Sequence, residues 1–139
     1  MHIMQSSGAQ ITNNIFYDDD VGYMIATDSM TGFAGDYNLF FRTTSGMNVA
    51  NLNAGDAANP GNNNFDLTGM QSQGYEAHGA YGDPQWSAAF ASIDSDPKGF
   101  KPNSSSPAKD KGKLLTYTED YAETAIPTGA GPDIGAFEQ

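Results

Sequence analysis

With 139 residues, 38% of them hydrophobic, and a formal net charge of -11, the chain has room for one domain and one core. It contains no cysteine, which excludes disulfides and thiolate zinc sites, and no run of about 18 apolar residues, which excludes a membrane-spanning helix. Its acidity repels nucleic acid and anionic membrane, so neither is an expected partner.

Sixteen glycines and many asparagines suit short strands joined by tight corners, because both residues tolerate left-handed backbone. Met1 to Gly8 lacks the basic and apolar regions of a signal peptide, so either export information has been removed or the chain is a piece of something longer. Gln10 to Tyr17 reads as the first strand, ended by the acidic corner Asp18-Asp19-Asp20. Val21 to Thr27, Tyr37 to Thr43 and Gly46 to Leu52 read as further strands. Residues 53–64 are almost entirely Asn, Gly, Ala, Asp and Pro, the strongest loop signal in the chain. Phe65 to Leu67 resumes strand, and Met70 to Gly82 is a glycine-punctuated loop. Asp83-Pro84-Gln85-Trp86 and Asp96-Pro97-Lys98-Gly99-Phe100 are turns, with Ser87 to Ile93 between them as one turn of helix or a strand. No segment sustains helical periodicity, so little helix is expected.

Within this order an asparagine followed by large apolar residues returns at a nearly fixed offset. Asn14 precedes Ile15-Phe16; 24 residues on, Asn38 precedes Leu39-Phe40-Phe41; and 24 further on, Asn62 opens Asn62-Asn63-Asn64-Phe65. A period in the range of roughly 20–45 residues is the signature of stacked repeats, each unable to bury its apolar side alone. Stacked asparagines would hydrogen-bond along the stack while the apolar residues behind them point inward.

The tail carries a resemblance. Ser105-Ser106-Pro107-Ala108-Lys109-Asp110-Lys111-Gly112 is similar to the Ser-Pro-Ala-(Ile)-Asp-x-Gly motif of the right-handed parallel β-helix repeat family, and Pro132-Asp133-Ile134-Gly135-Ala136-Phe137-Glu138-Gln139 resembles its closing Asp-Ile-Gly-Ala-(Phe/Tyr)-Glu. The order of Asn-Asn-Ile-Phe, Asp-Tyr-Asn-Leu, Asp-Pro-x-aromatic and the two tail motifs is also that family's, across residues 13–139. Lys109 departs from the pattern by replacing an apolar residue. The resemblance implies an all-β, right-handed parallel β-helix of roughly three coils, with residues 10–100 as coils and loops and 101–139 as a C-terminal segment packing back along them. It places the chain near the pectate-lyase-like proteins, among which are polysaccharide lyases and glycoside hydrolases. Their sites lie on central coils that have no counterpart here, so the fold does not carry an activity with it.

Several residues are candidates for chemistry. Asp18, Asp19 and Asp20 could supply oxygen ligands to calcium, although successive residues of a strand point to opposite faces. Asp18 or Asp20 with an acid on a neighbouring coil could form a glycosidase pair. A lyase needs a base and a cation to neutralise a uronate. Residues 1–97 hold eleven acids against Arg42 alone, while residues 98–139 hold six acids and all five lysines, so Arg42 with a returning lysine would be that cation. His78 lies where the resembled family commonly has a histidine ahead of its Asp-Pro turn, which favours a loop-bracing role over a general base. Trp86, Tyr75 and Tyr81 could stack on sugar rings. The function expected is extracellular carbohydrate interaction, binding or cleaving polysaccharide as a lyase or hydrolase would. The alternative is a non-catalytic structural or adhesion module that self-associates through its uncapped N-terminal coil.

Overall fold

The computed structural model describes residues 1–44, 46–55, 63–87 and 97–139; Asn62 and most of the Ser87 to Ile93 stretch lie outside them. Among the described residues the strands are β1 (His2–Ile3), β2 (Gln10–Thr12), β3 (Ile15–Tyr17), β4 (Val21–Ala26), β5 (Ala34–Asp36), β6 (Leu39–Phe41), β7 (Asn48–Ala54), β8 (Asn64–Phe65) and β9 (Ala80–Tyr81). One α-helix among the described residues, α1 (Leu67–Ser72), replaces the end of the strand expected over Phe65 to Leu67 and the start of the loop expected from Met70.

The strands form three separate sheets, ordered β1-β4-β7-β8, β2-β5 and β3-β6-β9. All pairs are parallel except β7-β8, which is antiparallel. The expected parallel β-helix of roughly three coils is therefore corrected: the sheets are short and split, one is mixed, and the described residues build no closed or solenoid sheet. The cause is local. Asn13, Asp18, Tyr37 and Asn53 all adopt positive φ, between 55° and 59°, so the chain turns a corner every few residues. The expected strand from Gln10 to Tyr17 is thus cut into β2 and β3 at Asn13. After β7 the chain turns back as antiparallel β8, and Asp66 then caps α1 by accepting the Gly69 N–H at 2.7 Å.

The 24-residue offset survives as strand register. Ile11 pairs with Gly35, Ile15 with Leu39 and Phe16 with Phe40, and the Phe16 and Phe40 rings stack 5.2 Å apart, tilted by 6°. Asn14 donates its backbone N–H and its Nδ2 to Asn38 Oδ1 at 2.9 and 3.0 Å. Asn38 Nδ2 donates in turn to Glu76 Oε1 at 2.7 Å. A glutamate, brought in by the loop after α1, is the rung below the two asparagines.

Alternation along β6 organises the core. Phe40 points into the main cluster with Tyr23, Ile25, Val49, Leu52 and Met70. Leu39, on the opposite face, is equally buried, because Ala108 and Ile134 of the tail cover it alongside Ile15 and Ala80. Each fully buried Leu, Ile, Phe or Met side chain contributes roughly 1.5–3 kcal/mol through burial. Residues 101–139 contain no strand longer than an isolated bridge. Carboxylates satisfy the tail's backbone instead: Asp120 accepts the N–H groups of Ala122, Thr124 and Glu138, and Glu138 accepts those of Thr128 and Asp133. Asn13 ties the tail to the β2–β3 corner through two bonds to the Lys113 backbone and one from Gly135 N–H. No described helix is long and apolar enough to cross a membrane.

Candidate functional site

Tyr17 and Phe41 end β3 and β6 in register, and their rings lie 5.7 Å apart. They share a face with Leu39, but the tail cluster stops short of them, and both remain half-buried. Trp86 continues the row 6.0 Å from Tyr17, and Phe100 stands edge-on to Trp86 at 5.5 Å. The antiparallel bridge of Trp86 with Pro102 holds that end in place. Phe100 is 38% exposed. Four rings thus follow one another at nearly even spacing, each tilted against the next by 41–89°. Burial, then the neighbouring charges of Asp18 and Asp83, push the Tyr17 phenol upward, so it stays a neutral hydrogen-bonding group beside two acids.

Tyr81 and Tyr75 sit differently. Tyr81 pairs with Phe40 rather than Phe41, and its exposed ring, 6.2 Å from Phe41, opens on a small cleft with Met47 and Leu67. Tyr75 packs against Phe33 at 5.1 Å, on the edge of the main core. Of the three expected stacking residues, only Trp86 is a member of the row, with Tyr81 beyond its end.

The acidic corner does not converge. Asp18 Oδ1 accepts the Thr43 N–H at 2.7 Å and the Thr43 hydroxyl at 2.8 Å. Those bonds, the backbone one first, hold the Asp18 carboxyl below its ordinary value, with Arg42 adding to them. Asp20 pairs with Arg42 while its side chain stays 83% exposed, and Asp19 is exposed. Among the described residues no group of three acids or histidines is arranged to hold a metal ion. Asp18 is a brace between corners, and Arg42 is engaged by an acid of the same corner.

His78 is braced too. Its backbone N–H and Nδ1 reach the two oxygens of Asp36 at 2.7 and 2.9 Å, and its ring lies flat on Tyr37 at 4.3 Å. Burial of Asp36 opposes ionisation, but the bonds from His78 and from the Tyr37 N–H outweigh it and lower the carboxyl's pKa. This fixes the loop between α1 and β9 against the corner after β5.

Two clefts open where the tail meets the row. The first, about 240 Å³, lies between Trp86 and Phe100 on one side and Gly135 to Phe137 on the other. The second, about 230 Å³, shares Asn13 and the same tail residues and is walled further by Leu115, Tyr117 and Ile126, with Asp120, Asp133, Glu138 and Lys113. Tyr17, Phe41 and Phe100 escaped the sequence reading. The signal for the first two was there, since each closes one copy of the 24-residue repeat. Asp120 and Glu138, which accept from backbone at irregular separations of 2 to 18 residues, left no periodic trace. Comparison of the chain with protein-family models, with curated proteins and with solved structures finds no match.

Proposed function

We propose that this chain is a non-catalytic module that binds an extended polysaccharide, outside the cell, across the row Phe100, Trp86, Tyr17 and Phe41. The row itself carries the reading. Rings spaced 5.5–6.0 Å apart and tilted against one another group aromatic surface of the kind on which the C–H faces of pyranose rings stack, and Asp18 and Asp83 beside Tyr17 offer acceptors to hydroxyls. The groups a catalyst would use are otherwise engaged: Asp18 on Thr43, Arg42 on Asp20, and His78 on Asp36.

Calorimetry against neutral and uronate oligosaccharides tests this. Trp86→Ala and Phe100→Ala are each expected to weaken binding by about 1 kcal/mol, roughly fivefold, while reducing ends and unsaturated products stay at background. Affinity unchanged in both variants, or no binding by the wild type, overturns the row. Product formation overturns the non-catalytic reading.

A further inference from the structure

The second tail cleft has an unbalanced wall. Asp133 is 4% exposed and Glu138 3%. Asp133 Oδ1 accepts the Asp110 N–H at 2.7 Å, but its buried Oδ2 makes no well-formed hydrogen bond, the Gln139 backbone being the other donor close to the carboxyl. A buried carboxyl oxygen without a partner is costly. Burial first, then the charges of Glu138 and Asp110, push the Asp133 carboxyl upward, against the hydrogen bonds from the Asp110 and Gln139 backbones. Three acids and one cation, Lys113, line this cleft together with Tyr117 and Phe137, aromatic rings of the kind that attract a cation. The cleft shares Phe137, Ala136, Gly135 and Asn13 with the cleft at Trp86 and Phe100, so it lies where the row ends.

We propose that the second cleft takes an amino-sugar residue of the glycan that lies along the row, its ammonium group held against Asp133, Asp120 and Glu138. This rests on the polysaccharide reading above and narrows it: the preferred polymer is cationic. The net charge of -11 acts in the same direction by steering a polycation to the surface. Within this cleft Asp133 stands apart, because its Oδ2 is without a hydrogen bond while Asp120 and Glu138 accept backbone N–H groups.

The test compares a glucosamine hexamer with its fully N-acetylated counterpart, which has the same rings without the charge. In low-salt, mildly acidic buffer the wild type is expected to bind the glucosamine hexamer about tenfold more tightly. Asp133→Asn keeps the Oδ1 acceptor for Asp110 and is expected to reduce that preference to about twofold or less, whereas Asp19→Asn, at the exposed corner, keeps it. Carbon NMR of the wild-type Asp133 carboxyl supplies a readout that needs no variant: its titration moves to lower pH when the glucosamine hexamer is bound. A preference that survives Asp133→Asn, an equal loss in Asp19→Asn, or an unmoved titration overturns the cleft. Equal binding of both hexamers overturns the cleft alone. Binding of neither overturns the row and the cleft together.

Discussion

Glu76 lies wholly inside the fold, where its Oε1 accepts the Tyr23 hydroxyl at 2.9 Å and Asn38 Nδ2 at 2.7 Å, while Oε2 has no partner. Space around it is taken: a side chain at Gly79 would meet Oε2 at 2.7 Å, and one at Gly35 would meet the Tyr23 oxygen at 2.6 Å. Burial raises the Glu76 pKa; the bonds from Asn38 and Tyr23 oppose this and the charge of Asp36 adds to it. A carboxyl raised in the folded state binds its proton more tightly there than in the unfolded chain. Its contribution to stability is therefore present below the ordinary glutamate value, about 4.3, and is lost as pH rises through the folded value. Glu76→Gln keeps the acceptor and cannot ionise, so it should gain on the wild type by about 1.4 kcal/mol for each pH unit between the two values. Denaturant unfolding across a pH series checks this; parallel profiles would mean that Glu76 does not titrate between the two states. Glu76→Ala should cost roughly 2–4 kcal/mol at any pH, because it opens a cavity and leaves Tyr23 and Asn38 unpaired.

Elements in this chain are short enough that one side chain decides where each begins. Asp66→Ala removes the bond to Gly69 N–H and should cost about 1 kcal/mol, seen in chemical denaturation. Faster amide exchange is expected at Met70 and Gln73, which bond within the helix, with little change in β3 and β6. What could be read beforehand follows the same logic. The asparagine spacing reached the real register of β2 on β5 and β3 on β6, because parallel neighbours align like residues. It did not reveal that Tyr37 would take left-handed backbone, a conformation tyrosine seldom adopts. Nor did it reveal α1, whose six residues contain a glycine and are too few to show a period. The next rung of the ladder arrived as Glu76 from a loop, and no repeat could have announced it. Trp86 was legible as an aromatic after Asp-Pro, but its partner Phe100 lay behind a second turn, and contact between them is tertiary.

At the scale of the molecule, sheets and tail are two kinds of construction, joined among the described residues by a small apolar cluster, by the Asn13 corner and by the Trp86–Pro102 bridge. The sheets hold by backbone pairing and a shared core; the tail holds by carboxylates that bond its own backbone, by Asn13, and by Ile134 seated on Leu39, Ile15, Ala80 and Ala108. Both clefts depend on that seat, since Gly135, Ala136 and Phe137 follow Ile134 directly and wall each of them. Ile134→Ala should therefore cost roughly 2–5 kcal/mol, and its effect should be unevenly spread. The amides of Gly135 and Ile134, which bond to Asn13 and Ala108, should exchange faster by orders of magnitude, while those pairing β3 with β6 slow the exchange much as before. Glycan affinity should fall with them, although Ile134 touches neither cleft, because Phe137 is no longer held opposite Trp86. Hydrogen exchange and calorimetry on one variant decide it. Loss of affinity with the sheet amides intact makes the tail a separate clamp on the site. Simultaneous opening of β3 and β6 would mean instead that the tail cluster is part of one cooperative core, and that the row owes its shape to the whole fold.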